Sequence, residues 1–193
     1  MKPMDQVVAR GLTWVQPRAL RNEYQLIADG KALASLRWEK AFGSLAAAEA
    51  ADGRWTFKRV GFLRPRVTVR AVGSEADVAT LEPGWMGSGV LQFSDGHRYR
   101  WANTSFWGGE WAFASEAGTV LVRFLPGYSR KKRGTVHVEP EARTLQHLSL
   151  LLLLGWYLVV LMAQDTAWVA ATVVATTVHW ARCAARPHTR ARQ

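Results

Sequence analysis

From Leu12 to Val138 the chain runs in short apolar stretches broken by turn residues at close intervals, which is how an all-β sandwich or barrel reads in sequence. Helical periodicity is largely absent over that span. Alternation with period two marks individual strands: Val67 and Val69 against Arg66, Thr68 and Arg70, and Tyr99 and Trp101 against Arg98 and Arg100. Between the runs sit Asp29-Gly30, Asp52-Gly53 and Asp95-Gly96, where the positive φ of a type I′ hairpin turn suits both residue types. Pro83-Gly84, Gly108-Gly109, Glu116-Ala117-Gly118 and Pro126-Gly127 mark further reversals. The pattern predicts about twelve strands, near 12–16, 23–28, 31–38, 43–50, 53–59, 66–71, 76–82, 88–93, 97–102, 106–114, 119–125 and 131–138.

Closing such a sheet into an antiparallel barrel removes its edges. About eight strands already give an interior just filled by side chains, so a barrel of about twelve needs a separate element in the middle. His147 to Met162, HLSLLLLLGWYLVVLM, is the candidate. Glu139-Pro140-Glu141 predicts a helix start, with Pro suited to the first turn and the acids to the positive end of the helix dipole. No residue between Arg143 and Asp165 is formally charged, and as a helix that stretch is roughly 30 Å long, the thickness of a bilayer core or the diameter of a small domain. A helix apolar around its whole circumference must be surrounded on all sides, by protein or by lipid. Leu148, Leu151, Leu152, Leu154, Trp156, Tyr157, Val159 and Leu161 are its barrel-filling or membrane-facing side chains. Small strand residues, Ala32 and Ala34 or Ala46, Ala48 and Ala50, are expected to face inward and leave it room.

The stretches LTWVQPR at 12–18, DGRWTFKRVGF at 52–62, DGHRYRW at 95–101 and LLLLLGWYLVVLM at 150–162 make the chain resemble the tubby-like superfamily. That group includes the tubby C-terminal domain, the phospholipid scramblases and the LURP-one-related proteins, and the likeness is greatest to its small bacterial members. The resemblance implies a closed antiparallel barrel of about twelve strands around a buried hydrophobic C-terminal helix. It covers roughly Leu12 to Met162 and rests on strand count, order and the terminal helix. The chain carries neither a recognisable scramblase calcium segment nor a tubby phosphoinositide signature, so neither activity is transferred to particular residues.

On this reading residues 1–163 form the barrel with its central helix at about 140–163, and 164–193 form an apolar, then basic tail. Trp168 to Ala181, WVAATVVATTVHWA, follows the polar break Gln164-Asp165-Thr166 and predicts a second helix. The alternative is a membrane-anchored β-domain protein held by a helical hairpin of about 145–163 and 167–181. Basic residues flank both outer ends of that hairpin, as the positive-inside rule requires. Both stretches are short for a full crossing, and the hairpin would leave the barrel unfilled.

Charge narrows the partners. Among 193 residues, 49% hydrophobic and 21% charged, 25 Lys and Arg stand against 15 Asp and Glu, a formal net charge of +10. That balance favours phosphate-bearing surfaces. Arg130, Lys131, Lys132 and Arg133, beside Tyr128, form a basic run suited to anionic phospholipid headgroups, and equally to a solvated hairpin loop before the last strand. Nucleic acid is the less favoured target: Trp85 and Trp107 would have to serve as stacking platforms, and large aromatics are more often core or rim residues. The N-terminus lacks the apolar core of a signal peptide, which predicts a cytoplasmic β part, peripheral at the inner membrane or integral through the C-terminal apolar segments. A single cysteine, Cys183, allows no intramolecular disulfide.

Chemistry-bearing motifs are sparse. His97, His137, His147, His179 and His188 show no metal-ligand spacing, and His97 two residues after Asp95 reads as a turn and strand start. Gly84, Gly87 and Gly89 lack a dinucleotide fingerprint and read as a turn leading into Val90. The expectation is a non-catalytic protein with no catalytic residue, metal or cofactor, an enzyme with a pocket at the barrel mouth being the remote alternative.

Overall fold

The computed structural model describes residues 11–19, 21–40, 43–105, 109–127 and 133–184, with 168–184 described in backbone only. Twelve strands form one closed sheet: β1 (Leu12–Val15), β2 (Glu23–Ala28), β3 (Lys31–Trp38), β4 (Ala46–Ala50), β5 (Gly53–Val60), β6 (Arg66–Ala71), β7 (Asp77–Pro83), β8 (Gly89–Phe93), β9 (Arg98–Asn103), β10 (Trp111–Ser115), β11 (Val120–Gly127) and β12 (Arg133–Val138). Each pairs antiparallel with its neighbours in sequence, and β1 with β12 closes the ring. This is the barrel that the strand count required. The chain divides into two compact units, Met1–Val159 and Val160–Gln193.

The turns are more varied than three type I′ hairpins. Only Asp29-Gly30 has positive φ at both residues, 48° and 72°. At Asp52-Gly53 the pairing of Ala50 with Gly53 makes Ala51-Asp52 the turn, and Gly53 opens β5 instead. At Asp95-Gly96 only the glycine has positive φ, and the Phe93 N–H donates to the His97 carbonyl across a three-residue loop, the type I turn with glycine bulge. Side-chain direction also depends on bulges. A register shift at Leu26/Ile27 leaves Leu33 as the extra residue of β3, so Leu33 is buried while Ala32 is exposed. The inward alanines are therefore Ala34, Ala46, Ala48 and Ala50, without Ala32.

One helix, α1 (Leu148–Ala184), follows the barrel. It starts later than expected: Pro140–Ala142 forms a single 3-10 turn, and further turns bring the chain to His147 before helical bonding begins. It is also continuous through Gln164, Asp165 and Thr166, where the polar residues predicted a break, so the two apolar stretches form one helix and no hairpin. Thr166 donates its hydroxyl to the Met162 carbonyl, which satisfies its polar group within the helix.

From Leu148 to Val159 the helix fills the barrel, with the aromatic rows of the sheet seating it. Trp38, Ala46 and Phe57 lie in register across β3, β4 and β5. The Tyr157 ring stacks on Trp38 at 5.3 Å and meets Phe57 edge-on at 5.4 Å, with the alanine between them leaving its space. Trp156 stacks on Trp14 at 5.7 Å, opposite Gly134 of β12, where any Cβ would enter its ring. Gly155 has the same role toward Phe124. Among the helix residues singled out from sequence, Leu148, Leu151, Leu152, Leu154, Trp156, Tyr157 and Val159 are buried, and so is Leu161.

The Tyr157 hydroxyl donates to the Ser44 carbonyl at 2.6 Å, and the Ser44 hydroxyl is bonded to the Arg59 backbone, so the helix is tied to the loop before β4 and through it to β5. Tyr157→Phe keeps the ring and removes one bond, so a loss of about 1 kcal/mol is expected. A lower urea midpoint at unchanged slope is the measurement that checks it.

Candidate functional site

Sequential antiparallel pairing sorts the loops between two ends. The strand ends at the β1–β2, β3–β4, β5–β6, β7–β8, β9–β10 and β11–β12 connections lie at one end, and those at the intervening connections, with the segment leading into α1, lie at the other. Two contacts fix the direction of the central helix. His147 stacks on Phe93, beside the β8–β9 loop, and Tyr157 reaches Ser44, in the β3–β4 loop. Val159 therefore comes at the first end.

That end carries the exposed apolar groups. Phe62 and Leu63 in the β5–β6 loop are 96% and 90% exposed, and Trp85 and Met86 in the β7–β8 loop 85% and 83%. No other large hydrophobic side chain among the described residues approaches these values; Val72, the next, is 54% exposed. Backbone strain helps present the second pair, because Met86, a residue with a Cβ, sits at φ 53° within a short 3-10 turn. Trp85, expected in the core or at the rim, is thus a solvent-facing rim residue.

The ends also differ in charge. Exposed Arg18, Arg21, Lys40, Arg64, Arg66 and Arg133 belong to the first end, with Glu39 and Glu82 as the exposed acids there. At the opposite end the exposed residues include Asp29, Asp52, Glu75, Asp95, Glu116 and Glu141, with Lys31 and Arg98 as exposed cations at the strand ends. A recess of about 580 Å³ at the basic end is bounded by Arg21, Arg37 and Lys40, together with Glu23, Trp38 and Glu39. Of the basic run singled out from sequence, Arg133 opens β12 and is exposed, while Arg130, Lys131 and Lys132 lie outside the described residues, as does Trp107. The strand ends that flank them, Gly127 and Arg133, are paired with each other at this end.

At the acidic end the fold makes a juxtaposition that sequence spacing does not reveal. Asp95 and His97 in the β8–β9 loop meet His147, whose Nε2 lies 2.9 Å from Asp95 Oδ2, while His97 Nδ1 lies 3.1 Å from Oδ1. Ligand atoms of all three residues fall within 4.8 Å of one another. The Asp95 carboxyl also accepts the His97 backbone N–H at 3.1 Å, and this bond, more than the nearby imidazoles, holds its pKa below the ordinary value. Burial lowers the His147 pKa against the opposing pull of Asp95, which favours the neutral imidazole. The tautomer that fits both contacts has Nε2–H donating to Asp95 and Nδ1 accepting the Tyr99 hydroxyl at 3.4 Å. His97 and Asp95 do form the turn read from sequence, but His147, some fifty positions later, completes the cluster.

Among the described residues one helical segment, Leu148–Ala167, is long and apolar enough to cross a membrane, and 78% of its most apolar window is buried. In comparisons with known proteins, no protein-family model, no curated protein and no solved structure matches the chain.

Proposed function

We propose that this protein is a non-catalytic barrel of tubby-like type that docks reversibly on an anionic membrane surface with its basic end. The observation that carries the proposal is the coincidence, on one end of the barrel, of the most exposed apolar side chains with exposed Arg and Lys. Tryptophan at a loop tip suits the headgroup boundary, where its apolar ring is buried and its indole N–H remains wet, and the phenylalanine and leucine at the other tip offer apolar surface to bury. Basic residues beside them add about 1 kcal/mol each near an anionic surface. The tubby-like assignment is supported by the closed barrel of sequential strands and its C-terminal filler helix.

The test is flotation of the full chain with vesicles of phosphatidylcholine alone or mixed with phosphatidylserine. Binding is expected only with the anionic lipid, and to weaken with salt. Neutralising Arg130, Lys131 and Lys132 to Gln is expected to weaken it by about two orders of magnitude, at about 1 kcal/mol per residue. Phe62→Ser with Leu63→Ser is expected to weaken it without changing stability, since both side chains are in solvent. Binding that ignores anionic content and both sets of variants would sink the proposal.

A second reading, an integral anchor through the C-terminal segment, is favoured by the unbroken course of α1 to Ala184. It predicts retention in membranes after an alkaline carbonate wash, regardless of the loop substitutions.

A further inference from the structure

We propose that Asp95, His97 and His147 bind a divalent transition-metal ion of the zinc class at the acidic end of the barrel. Two imidazoles and a carboxylate form a donor set that suits Zn²⁺, Ni²⁺ or Cu²⁺ better than Mg²⁺ or Ca²⁺, which prefer all-oxygen shells. The geometry is near to what such an ion requires. With metal–ligand bonds of about 2.0–2.2 Å, neighbouring donors in a tetrahedron lie about 3.4 Å apart. Here the contacts from Asp95 to the two imidazoles are 2.9 and 3.1 Å, and all three donors fall within 4.8 Å. The two contacts use different oxygens of Asp95, so rotations that bring one carboxylate oxygen and the two imidazole nitrogens to about 3.4 Å from one another would admit the ion.

The surroundings orient the donors as a metal site does. His147 is only 11% exposed and its ring lies on Phe93 with centroids 3.8 Å apart, so its Nε2 has one direction in which to point. Its other nitrogen faces the Tyr99 hydroxyl, the kind of outer partner that fixes the tautomer of a ligating histidine. With metal on Nε2 the ring proton resides on Nδ1, and Tyr99 Oη turns from donor to acceptor without the ring moving. Asp95 is fixed by the bulged turn and the His97 N–H. His97, 60% exposed, is the adjustable ligand. Three protein ligands leave a position open to water or an exogenous group on the solvent side. The ion would join the β8–β9 hairpin to the residue just before α1, pinning the filler helix to the wall where it enters the barrel.

The test uses the full chain, stripped of metal and titrated with Co²⁺ and Zn²⁺, followed by cobalt visible absorption, calorimetry and thermal unfolding. Expected are one strong site and a higher Tm in excess metal, since the folded state alone brings the ligands together. Because His147→Ala could disturb the core, the informative variants are Asp95→Asn and His97→Ala, both at exposed positions, and each is expected to abolish the strong site with the barrel still folded. Tyr99→Phe is expected to reduce affinity about 10–100-fold through loss of the outer partner. Absence of binding in the unaltered chain would overturn the proposal and leave the cluster a set of hydrogen bonds around the β8–β9 turn. Binding undiminished in Asp95→Asn and His97→Ala would overturn it too, by locating the metal elsewhere.

Discussion

A chain ending at Arg143, with every strand present and the central helix missing, is expected not to fold. Leu148, Leu151, Leu152, Leu154, Trp156 and Tyr157 are all almost wholly removed from solvent, and the inward faces of the strands are built to meet them. Each buried side chain of that size contributes about 1.5–3 kcal/mol. A few of them match the whole stability of an ordinary domain, about 5–15 kcal/mol. The strands would also surround a void, and twelve strands cannot collapse to close it without breaking their register. The expected signature is loss of near-ultraviolet circular dichroism from the tryptophan core, dye binding to exposed apolar surface and aggregation on expression. A soluble, cooperatively melting product would show that the barrel supports itself, contrary to this account.

The second large effect is expected at Gly155. Glycine inside a helix costs about 1 kcal/mol relative to alanine, so its presence in the filler calls for a packing reason. A Cβ there would lie inside contact distance of the Phe124 ring, with Cε1 2.8 Å away. Phe124 cannot retreat easily, because it is fully buried and packed edge-on to Trp101 at 5.6 Å and to Phe113 at 6.3 Å. Gly155→Leu should therefore cost at least the upper part of the range of about 1–3 kcal/mol for overpacked cores, despite better helix propensity. Phe124→Ala alone removes a buried ring and should cost about 3–5 kcal/mol. Combined, the added side chain occupies the vacated space, and denaturant melts of the four species should give a favourable coupling of about 0.5–3 kcal/mol. Strict additivity would mean that the helix and β11 do not touch at this point.

Much of the barrel was legible because a half-buried strand writes its two faces into alternate positions. Val67 and Val69 against Arg66 and Arg70 could be read without any knowledge of neighbours. The need for a filler was legible too, since it follows from strand number alone. What escaped depended on pairing. Ala32 has the inward parity of Ala34, and only the bulge opposite Ile27 turns it outward. Asp52-Gly53 has the composition of a type I′ turn, but the register with Ala50 moves the turn one residue earlier. The acids around Pro140 suit a helix start, but after β12 the chain must first cross to the barrel mouth, and regular helix waits until Leu148.

The candidate sites divide in the same way. The basic run was visible as composition, but the sharing of one barrel end by Arg133, Phe62, Leu63, Trp85 and Met86 is a property of the order in which strands alternate direction. Three separate stretches of sequence come to one end only when the alternate loops are sorted. His147 was hidden more deeply: nothing in its local sequence separates it from the apolar run that it precedes, and Asp95 and His97 look complete as a turn.

The order of these elements along the chain also governs how the molecule can be made. Strands β2 to β11 can pair with neighbours as they emerge from the ribosome, but the seam between β1 and β12 spans almost the whole barrel sequence, and the helix that fills the interior is synthesised after it. Until that helix arrives, the growing chain displays an open, apolar trough with two unsatisfied strand edges. Closure of the barrel thus comes late, after all twelve strands and the helix have been made, and the interval before it is when the protein depends most on being shielded from other chains.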